Sequence, residues 1–224
     1  MKTKLFLLSV AVMGLATSCQ QKPESQPLAD EIQYVDPFIG TGFHGHTFPG
    51  ATRPYAMVQL SPDTHIMGWD ASSGYHYDDQ QIYGFSHTHL SGTGIGDLGD
   101  ILLLPFSGGD SIKPVATFKK ETEKATPGYY AVQLENLGVN VELTSTDRVG
   151  FHRYTFDNPK DRRVMLDLGH VLQPNWGHKL VSNDYQLVND STVEGTYKTQ
   201  GWAHFHSVSY RVTFSEPMTK IYQY

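Results

Sequence analysis

The sequence predicts a mostly β domain, an antiparallel and supersandwich-like β-sandwich with long functional loops. Short runs that alternate between apolar and polar residues are common, and such alternation is typical of half-buried strands. Turn-forming stretches rich in Gly, Pro, Asn and Asp separate these runs at short intervals, as in sandwiches and barrels. Helical periodicity is nearly absent: its best candidate is the stretch 111–125, and Pro114 disturbs the start of that stretch.

Strand alternation is clearest in the second half of the chain. In the run that begins at Tyr129, residues Tyr130, Val132 and Leu134 fall on one face. Five further runs predict strands, at 139–145, 149–156, 163–168, 192–197 and 204–214. Turn signals begin at Thr126, Glu135, Asp157 and Val188. This half of the chain therefore predicts a series of short strands joined by turns.

The front half, from Tyr34 to Asp100, has fewer clear strands. It is dense in glycine, histidine and aspartate, and its best strand predictions are 55–62 and 100–105. We expect the remainder to form long, ordered loops. Because long loops on a rigid sandwich often carry binding or catalytic residues, we expect the functional site in this half.

The first residues predict export rather than structure. Lys2 and Lys4 precede an apolar run, Leu5 to Ala16, which is too short to span a bilayer and is typical of a signal peptide. Cys19 follows small residues, as in a bacterial lipobox; the alternative is an ordinary signal peptide with an incidental cysteine. We predict a signal peptide at 1–18, a lipidated polar tether at 19–33, and an exported lipoprotein in the periplasm or outer membrane of a Gram-negative bacterium.

Composition excludes several classes of function. Cys19 is the one cysteine of the chain, so an internal disulfide and a zinc site of two or four cysteines are excluded. Lys2 and Lys4 belong to the 17 basic residues, which leaves 15 basic against 23 acidic residues in the mature part. Nucleic acid is a poor partner for such an acidic chain, and we expect membrane contact through the N-terminal lipid only.

Three histidine pairs have i, i+2 spacing: His44/His46, His87/His89 and His204/His206. In a strand such a pair projects to one face, so each could offer two imidazoles to one metal, with Asp97 or Asp100 as a carboxylate. Histidine also donates to sugar hydroxyls and to backbone carbonyls. A small metalloenzyme is therefore one alternative function, and metal analysis of the purified protein would test it.

Three further stretches in the front half offer chemistry. The glycines of the stretch 92–97 resemble a dinucleotide fingerprint, but a predicted strand follows where a helix is required. The carboxylate pairs Asp78/Asp79 and Asp97/Asp100 either act in catalysis or cap turns. Trp69 beside Asp70 forms an exposed sugar platform, or Trp69 is a buried ring whose N–H group is satisfied by a hydrogen bond.

Three long stretches together resemble the N-terminal domain of glycoside hydrolase family 92, a family of exo-α-mannosidases abundant in gut Bacteroidetes. They are YVDPFIGTGFHGHTFPGATRPYAMVQLSPDT, GWDASSGYHYDDQQIYGFSHTHLSGTGIGDLGDILLLP and TPGYYAVQLENLGVNVELTSTDRVGFHRYTF. The resemblance runs from Tyr34 to the end of the chain. It implies a domain 34–224 that is an N-terminal β-sandwich, truncated at its C-terminal end, with the family's helical-barrel domain absent.

The same resemblance implies a secreted, inverting, calcium-dependent enzyme that acts on mannose-containing glycans such as N-glycans. The catalytic acid, the catalytic base and most calcium ligands lie in the family's helical domain, so we assign no catalytic residue and no metal ligand to this chain. The matching Trp69 and Asp70 are expected to contact the terminal mannose. His46, His87 and His89 are expected to line the same cleft, against which the helical domain docks as a partner.

Two functions from different classes follow. The chain is the front of a secreted α-mannosidase, and by itself it is expected to be inactive. Alternatively it is a stand-alone carbohydrate-binding lipoprotein, which uses the same platform residues without chemistry. A reading frame that continues past Tyr224 with helical periodicity favours the enzyme, and a stop codon there favours the binding protein.

Overall fold

The computed structural model of the protein describes residues 29–109 and 111–223, and the regular elements of these residues are almost all antiparallel strands joined by loops. The predicted signal peptide and Cys19 lie outside the described residues. A four-residue helix, α1, spans Ala29–Ile32, and short 3-10 helices span Lys120–Thr122 and Pro174–Trp176. None of the helices in the described ranges is long and apolar enough to cross a membrane.

Fourteen strands occur in the described residues, and eleven of them build the two sheets and the small pair that enclose the core. Their bounds are β1 Ala51–Thr52, β2 Gln59–Asp63, β3 Gln81–Ile82, β4 Gly84–Ser86, β5 Leu102–Phe106, β6 Ala116–Thr117, β7 Lys124–Thr126, β8 Tyr129–Leu134, β9 Val139–Ser145, β10 Gly150–Phe156, β11 Arg163–Asp167, β12 Lys179–Asn189, β13 Thr192–Gln200 and β14 His206–Thr213. The last three form a separate sheet. All pairings between these strands are antiparallel.

Two sheets face each other across the main core. One has the strand order β1-β2-β4-β5-β11 and the other has the order β10-β9-β8-β7. In the second sheet Val132 lies opposite Val141, which lies opposite Tyr154, so apolar residues stack across three strands. Their side chains meet Leu60, Phe85 and others from the first sheet in one buried cluster. Burial of this apolar area is the main favourable contribution to folding, at roughly 25 cal/mol per Å².

The outer face of the five-stranded sheet is buried as well. Ser61, Asp63 and Ser86 are fully buried, although they point away from the apolar cluster. Loops of the front half and the three-stranded sheet β12-β13-β14 lie on this side; Tyr197 of β13, for example, donates to the carbonyl of His170 in the loop after β11. The loops that carry the candidate site are therefore fixed to the sandwich from two sides.

The predicted fold class is confirmed: the described chain is a mostly β, antiparallel sandwich. The strand predicted at Tyr130, Val132 and Leu134 forms β8, where all three side chains are buried. The helical candidate 111–125 is wrong, because this stretch forms β6, a 3-10 helix and the start of β7. The short strands β1, β3, β4, β6 and β7 were not predicted, and neither was the long strand β12, because nearly all side chains of β12 are exposed and the apolar alternation is missing.

Candidate functional site

Trp69 and Asp70 lie in the long loop between β2 and β3. The side chain of Trp69 is 52% exposed, so the structure places this ring on the surface. Two imidazoles flank it: the ring centroid of His46 lies 4.3 Å away in an edge-on arrangement, and that of His44 lies 5.2 Å away. The exposed indole ring of Trp69 therefore has polar imidazole groups at its border.

Asp70 is paired with His44, from which it is separated by 26 residues in the sequence. The Nδ1 atom of His44 is hydrogen-bonded to Oδ1 of Asp70, and about half of each side chain is exposed. The ring of Phe43 lies 3.9 Å from that of His44. Within the described ranges, Asp70 Oδ2 has no hydrogen-bond partner, so a carboxylate oxygen is available beside Trp69.

His46 lies beneath this surface and is almost completely buried, at 7% exposure. Its Nε2 atom is buried without a hydrogen-bond partner among the described residues. Gly94 lies directly against it: a Cβ atom there would be 3.2 Å from Nε1 of Trp69 and 3.4 Å from the imidazole of His46. Glycine therefore allows the glycine-rich loop to approach the two rings, and Gly92 N–H donates to the carbonyl of His46 at 2.6 Å.

The loop that carries both histidines is closed on itself. Thr47 N–H donates to the Gly40 carbonyl at 3.2 Å, and Tyr77 N–H donates to the Thr41 carbonyl at 3.0 Å. At Gly45 a Cβ atom would lie 1.9 Å from the carbonyl oxygen of Gly40, so no other residue fits. The segment 40–47 thus holds the imidazoles in place through its own backbone.

His87 and His89 have different surroundings. His87 Nδ1 donates to the carbonyl of Ile101 at 2.7 Å, and its Nε2 is bonded to Nε2 of His152 at 3.0 Å. His89 points elsewhere: its Nε2 is 2.7 Å from Oδ1 of the buried Asp63. The two imidazoles therefore do not converge on one point, and their expected role in the cleft stays a prediction.

Asp63 is the centre of a buried polar cluster. Its second oxygen, Oδ2, is bonded to Nε2 of His170 at 2.7 Å, and His89 Nδ1 donates to the carbonyl of Gln59 at 2.7 Å. Burial alone would raise the pKa of Asp63, but the charges and hydrogen bonds of His89 and His170 outweigh burial and hold its pKa well below the usual value. This cluster joins the five-stranded sheet to two loops.

The aspartates of the glycine-rich loop join it to the three-stranded sheet. Asp97 accepts hydrogen bonds from the backbone N–H of Ala203 at 2.7 Å and of Leu98 at 3.0 Å. Asp100 accepts from the Thr88 hydroxyl at 2.6 Å and is bonded to Nε2 of His206 at 2.9 Å. Both carboxylates are buried and hydrogen-bonded within the protein. The sequence left open a catalytic and a structural role for them, and this arrangement agrees with the structural role.

Within residues 29–109 and 111–223, no group of three or more His, Cys, Asp or Glu side chains is placed to hold a metal ion. The family resemblance places most calcium ligands in the helical domain, so the calcium site stays a prediction for that domain.

His44 was not predicted from the sequence as a site residue and was named only as a member of the His44/His46 pair. Its partner Asp70 lies in another loop, and local spacing contains no signal for such a contact. By contrast, the adjacent Trp69 and Asp70 were predicted together, and the structure brings His46 and His44 to them.

Residues 34–224 match the model of the glycosyl hydrolase family 92 N-terminal domain. A family GH92 alpha-mannosidase from Bacteroides thetaiotaomicron, solved in complex with mannoimidazole, is 37% identical with a TM-score of 0.79; the match covers 84% of this chain and 26% of that chain. Another solved GH92 family glycosyl hydrolase is 27% identical with a TM-score of 0.66, over 81% of this chain and 26% of its own.

A relative of known sequence is described as an uncharacterized secreted glycosidase of Arthroderma benhamiae. It is 32% identical over 176 residues, which cover 71% of this chain and 22% of the relative. The chain thus spans about a quarter of the length of the proteins to which it is similar.

Proposed function

This chain belongs to glycosyl hydrolase family 92 through its N-terminal domain, and from that premise we propose that the Trp69–Asp70 surface is this domain's share of a mannose-binding cleft. The observation that carries the proposal is the accessible Trp69 ring, bordered by an available carboxylate oxygen of Asp70. The solved relative that holds mannoimidazole supports a ligand of the mannose type.

The chemistry of the surface suits a sugar. The exposed indole offers an apolar face to the C–H groups of a pyranose ring, and Asp70 accepts a hydrogen bond from a hydroxyl group. A hydrogen bond to a charged group contributes roughly 1.5–3 kcal/mol. The parts of His46, His87 and His89 in the cleft stay predictions.

Hydrolysis is proposed for a longer protein, since the chain spans 26% of the solved mannosidase. Inversion requires two carboxyl groups, roughly 6.5–9.5 Å apart, on opposite sides of the scissile bond. We propose that the helical domain of the longer enzyme supplies both, docks against this cleft and acts on mannose-containing glycans. Calcium is proposed for that domain, where the family resemblance places most of its ligands, and removal of calcium from the longer enzyme tests it by the loss of mannose release.

Export is proposed as well. The secreted relative supports it, and so does the apolar run that ends at Ala16. Lipidation at Cys19 would hold the protein in the periplasm or at the outer membrane. Incorporation of labelled palmitate in a Gram-negative host tests this: the wild type should be labelled and Cys19→Ala should not.

Calorimetric titration of the 224-residue chain with methyl α-D-mannopyranoside tests the binding surface. The wild type should bind, and Trp69→Ala should weaken binding at least tenfold. Trp202→Ala is the matched control, because Trp202 is 71% exposed and lies in a different loop. Equal binding by the wild type and Trp69→Ala would contradict the proposal.

A second assay separates the two functions. With α-1,2-mannobiose and calcium, this chain should release no mannose, whereas the longer protein should release it. A longer protein that binds the disaccharide without cleaving it would favour the alternative, a carbohydrate-binding lipoprotein.

A further inference from the structure

We propose that His44 is a positioning residue of this site: its imidazole orients the Asp70 carboxylate, so that one oxygen faces a sugar hydroxyl beside Trp69. The inference rests on the proposed function and adds a residue to it. It starts from the bond between Nδ1 of His44 and Oδ1 of Asp70.

Asp70 needs such a partner because its side chain is half exposed and lies in a surface turn. A carboxylate free to rotate in water must lose that freedom when a sugar binds, and this loss weakens binding. The bond to His44 removes the rotation before the ligand arrives. It also leaves Oδ2 as the oxygen available to the ligand.

His44 is itself fixed in place. Its ring contacts two others, that of Phe43 at 3.9 Å and that of Trp69 at 5.2 Å. Phe43 has a left-handed backbone, with φ of 53°, and its carbonyl is 3.2 Å from Nε2 of His76. A non-glycine residue in this conformation persists only where its surroundings hold it. The strain at Phe43 therefore points to a loop built to present the next residue, His44.

The fixed carboxylate determines the kind of ligand. Asp70 Oδ2 is a hydrogen-bond acceptor in the residue next to the exposed Trp69 ring. A carboxylate oxygen beside an aromatic face suits a hydroxyl group of a pyranose and disfavours an anionic ligand.

Calorimetric titration of the 224-residue chain with methyl α-D-mannopyranoside tests the inference through four variants. His44→Ala should weaken binding about tenfold, whereas His44→Asn, which retains a donor near the position of Nδ1, should recover most of the affinity. In an Asp70→Asn background, His44→Ala should change the affinity less than twofold, because His44 acts through the carboxylate. His65→Ala is the control, since His65 is as exposed as His44 and is also paired with an aspartate, Asp79, at 3.4 Å.

The outcomes separate the two proposals. A wild type that does not bind the mannoside overturns the proposed function and the inference together. A wild type that binds, with Asp70→Asn weakened and His44→Ala unchanged, overturns the inference alone. Equal losses from His44→Ala with and without Asp70→Asn also overturn it, because they indicate an effect on the loop. Thermal melts verify that each variant folds. If His44→Ala does not fold, the comparison of His44→Asn with His44→Gln tests the inference instead. Because Gln places its amide farther from the backbone, His44→Gln should bind the mannoside more weakly than His44→Asn.

Discussion

The Nε2 atoms of His87 and His152 lie 3.0 Å apart and share one hydrogen bond between the two sheets of the sandwich. His87 Nδ1 donates to the carbonyl of Ile101, and the hydroxyl of Tyr154 bonds to Nδ1 of His152 at 2.8 Å. All three hydrogen bonds of this series form when each imidazole carries one proton, because a second proton would place two donors against each other. Burial lowers the pKa of both histidines, and their mutual proximity lowers that of His152 further.

The first prediction is that acid destabilises the fold through these two histidines. Below the ordinary histidine pKa of 6.5, the unfolded chain binds protons that the folded chain does not, so the free energy of unfolding falls as the pH falls. Each group contributes at most about 1.4 kcal/mol per pH unit. Urea unfolding between pH 7.5 and 5.5 measures this slope, and His152→Gln should reduce it.

The matched comparison is His206→Gln. Asp100 raises the pKa of His206 through their hydrogen bond, so His206 stabilises the fold at lower pH and loses this effect as the pH rises. Its replacement should make the loss of stability in acid steeper. A slope that His152→Gln leaves unchanged would show that the buried histidine chain is not the cause.

A second prediction concerns the buried carboxylate of Asp63. Asp63→Asn removes the charge that two histidines share and should lower the free energy of unfolding by about 3 kcal/mol, because their donors lose a charged acceptor inside the protein. Asp78→Asn, at a side chain that is 81% exposed, should change it by less than about 0.5 kcal/mol. Urea unfolding at pH 7.5 compares the two, and equal stability would contradict the central role of Asp63.

Gly74 leads to a third prediction. A Cβ atom there would lie 2.6 Å from Oδ1 of Asp63, and φ is +86°. Gly74→Ala should therefore cost about 3 kcal/mol, from backbone strain and from displacement of a buried carboxylate. Gly177→Ala has a similar φ of +88° and open space around it, so it should cost only about 1 kcal/mol. Similar losses in thermal unfolding would mean that steric contact with Asp63 is unimportant.

The fourth prediction concerns the attachment of the three-stranded sheet. The buried hydroxyl of Tyr197 donates to the carbonyl of His170, so Tyr197→Phe should cost about 1–2 kcal/mol and increase hydrogen exchange in β13. Tyr34→Phe, at a side chain that is 82% exposed, should change neither quantity. Unchanged exchange in β13 after Tyr197→Phe would contradict this role.

Local patterns were enough for the strands whose two faces differ. In β9, Val139, Val141 and Leu143 are buried and alternate with residues that are not, so burial follows directly from a period of two. β12 has no such contrast, because all of its eleven residues except Leu180 are exposed. It exists because its backbone pairs with β13, and such pairing depends on a distant partner. The stretch 111–125 similarly takes its strand β6 from pairing with β3.

The candidate site divides in the same way. The sequence placed Trp69 beside Asp70 and predicted a surface for sugars, because adjacency in the chain guarantees adjacency in space. Only the tertiary structure decided that the Trp69 ring is exposed, that His44 reaches Asp70 and that His89 instead reaches Asp63. The contact of His44 with Asp70 and that of His89 with Asp63 each join residues 26 positions apart in the sequence. The geometry of such a loop depends on the packing of the whole sandwich rather than on any local pattern.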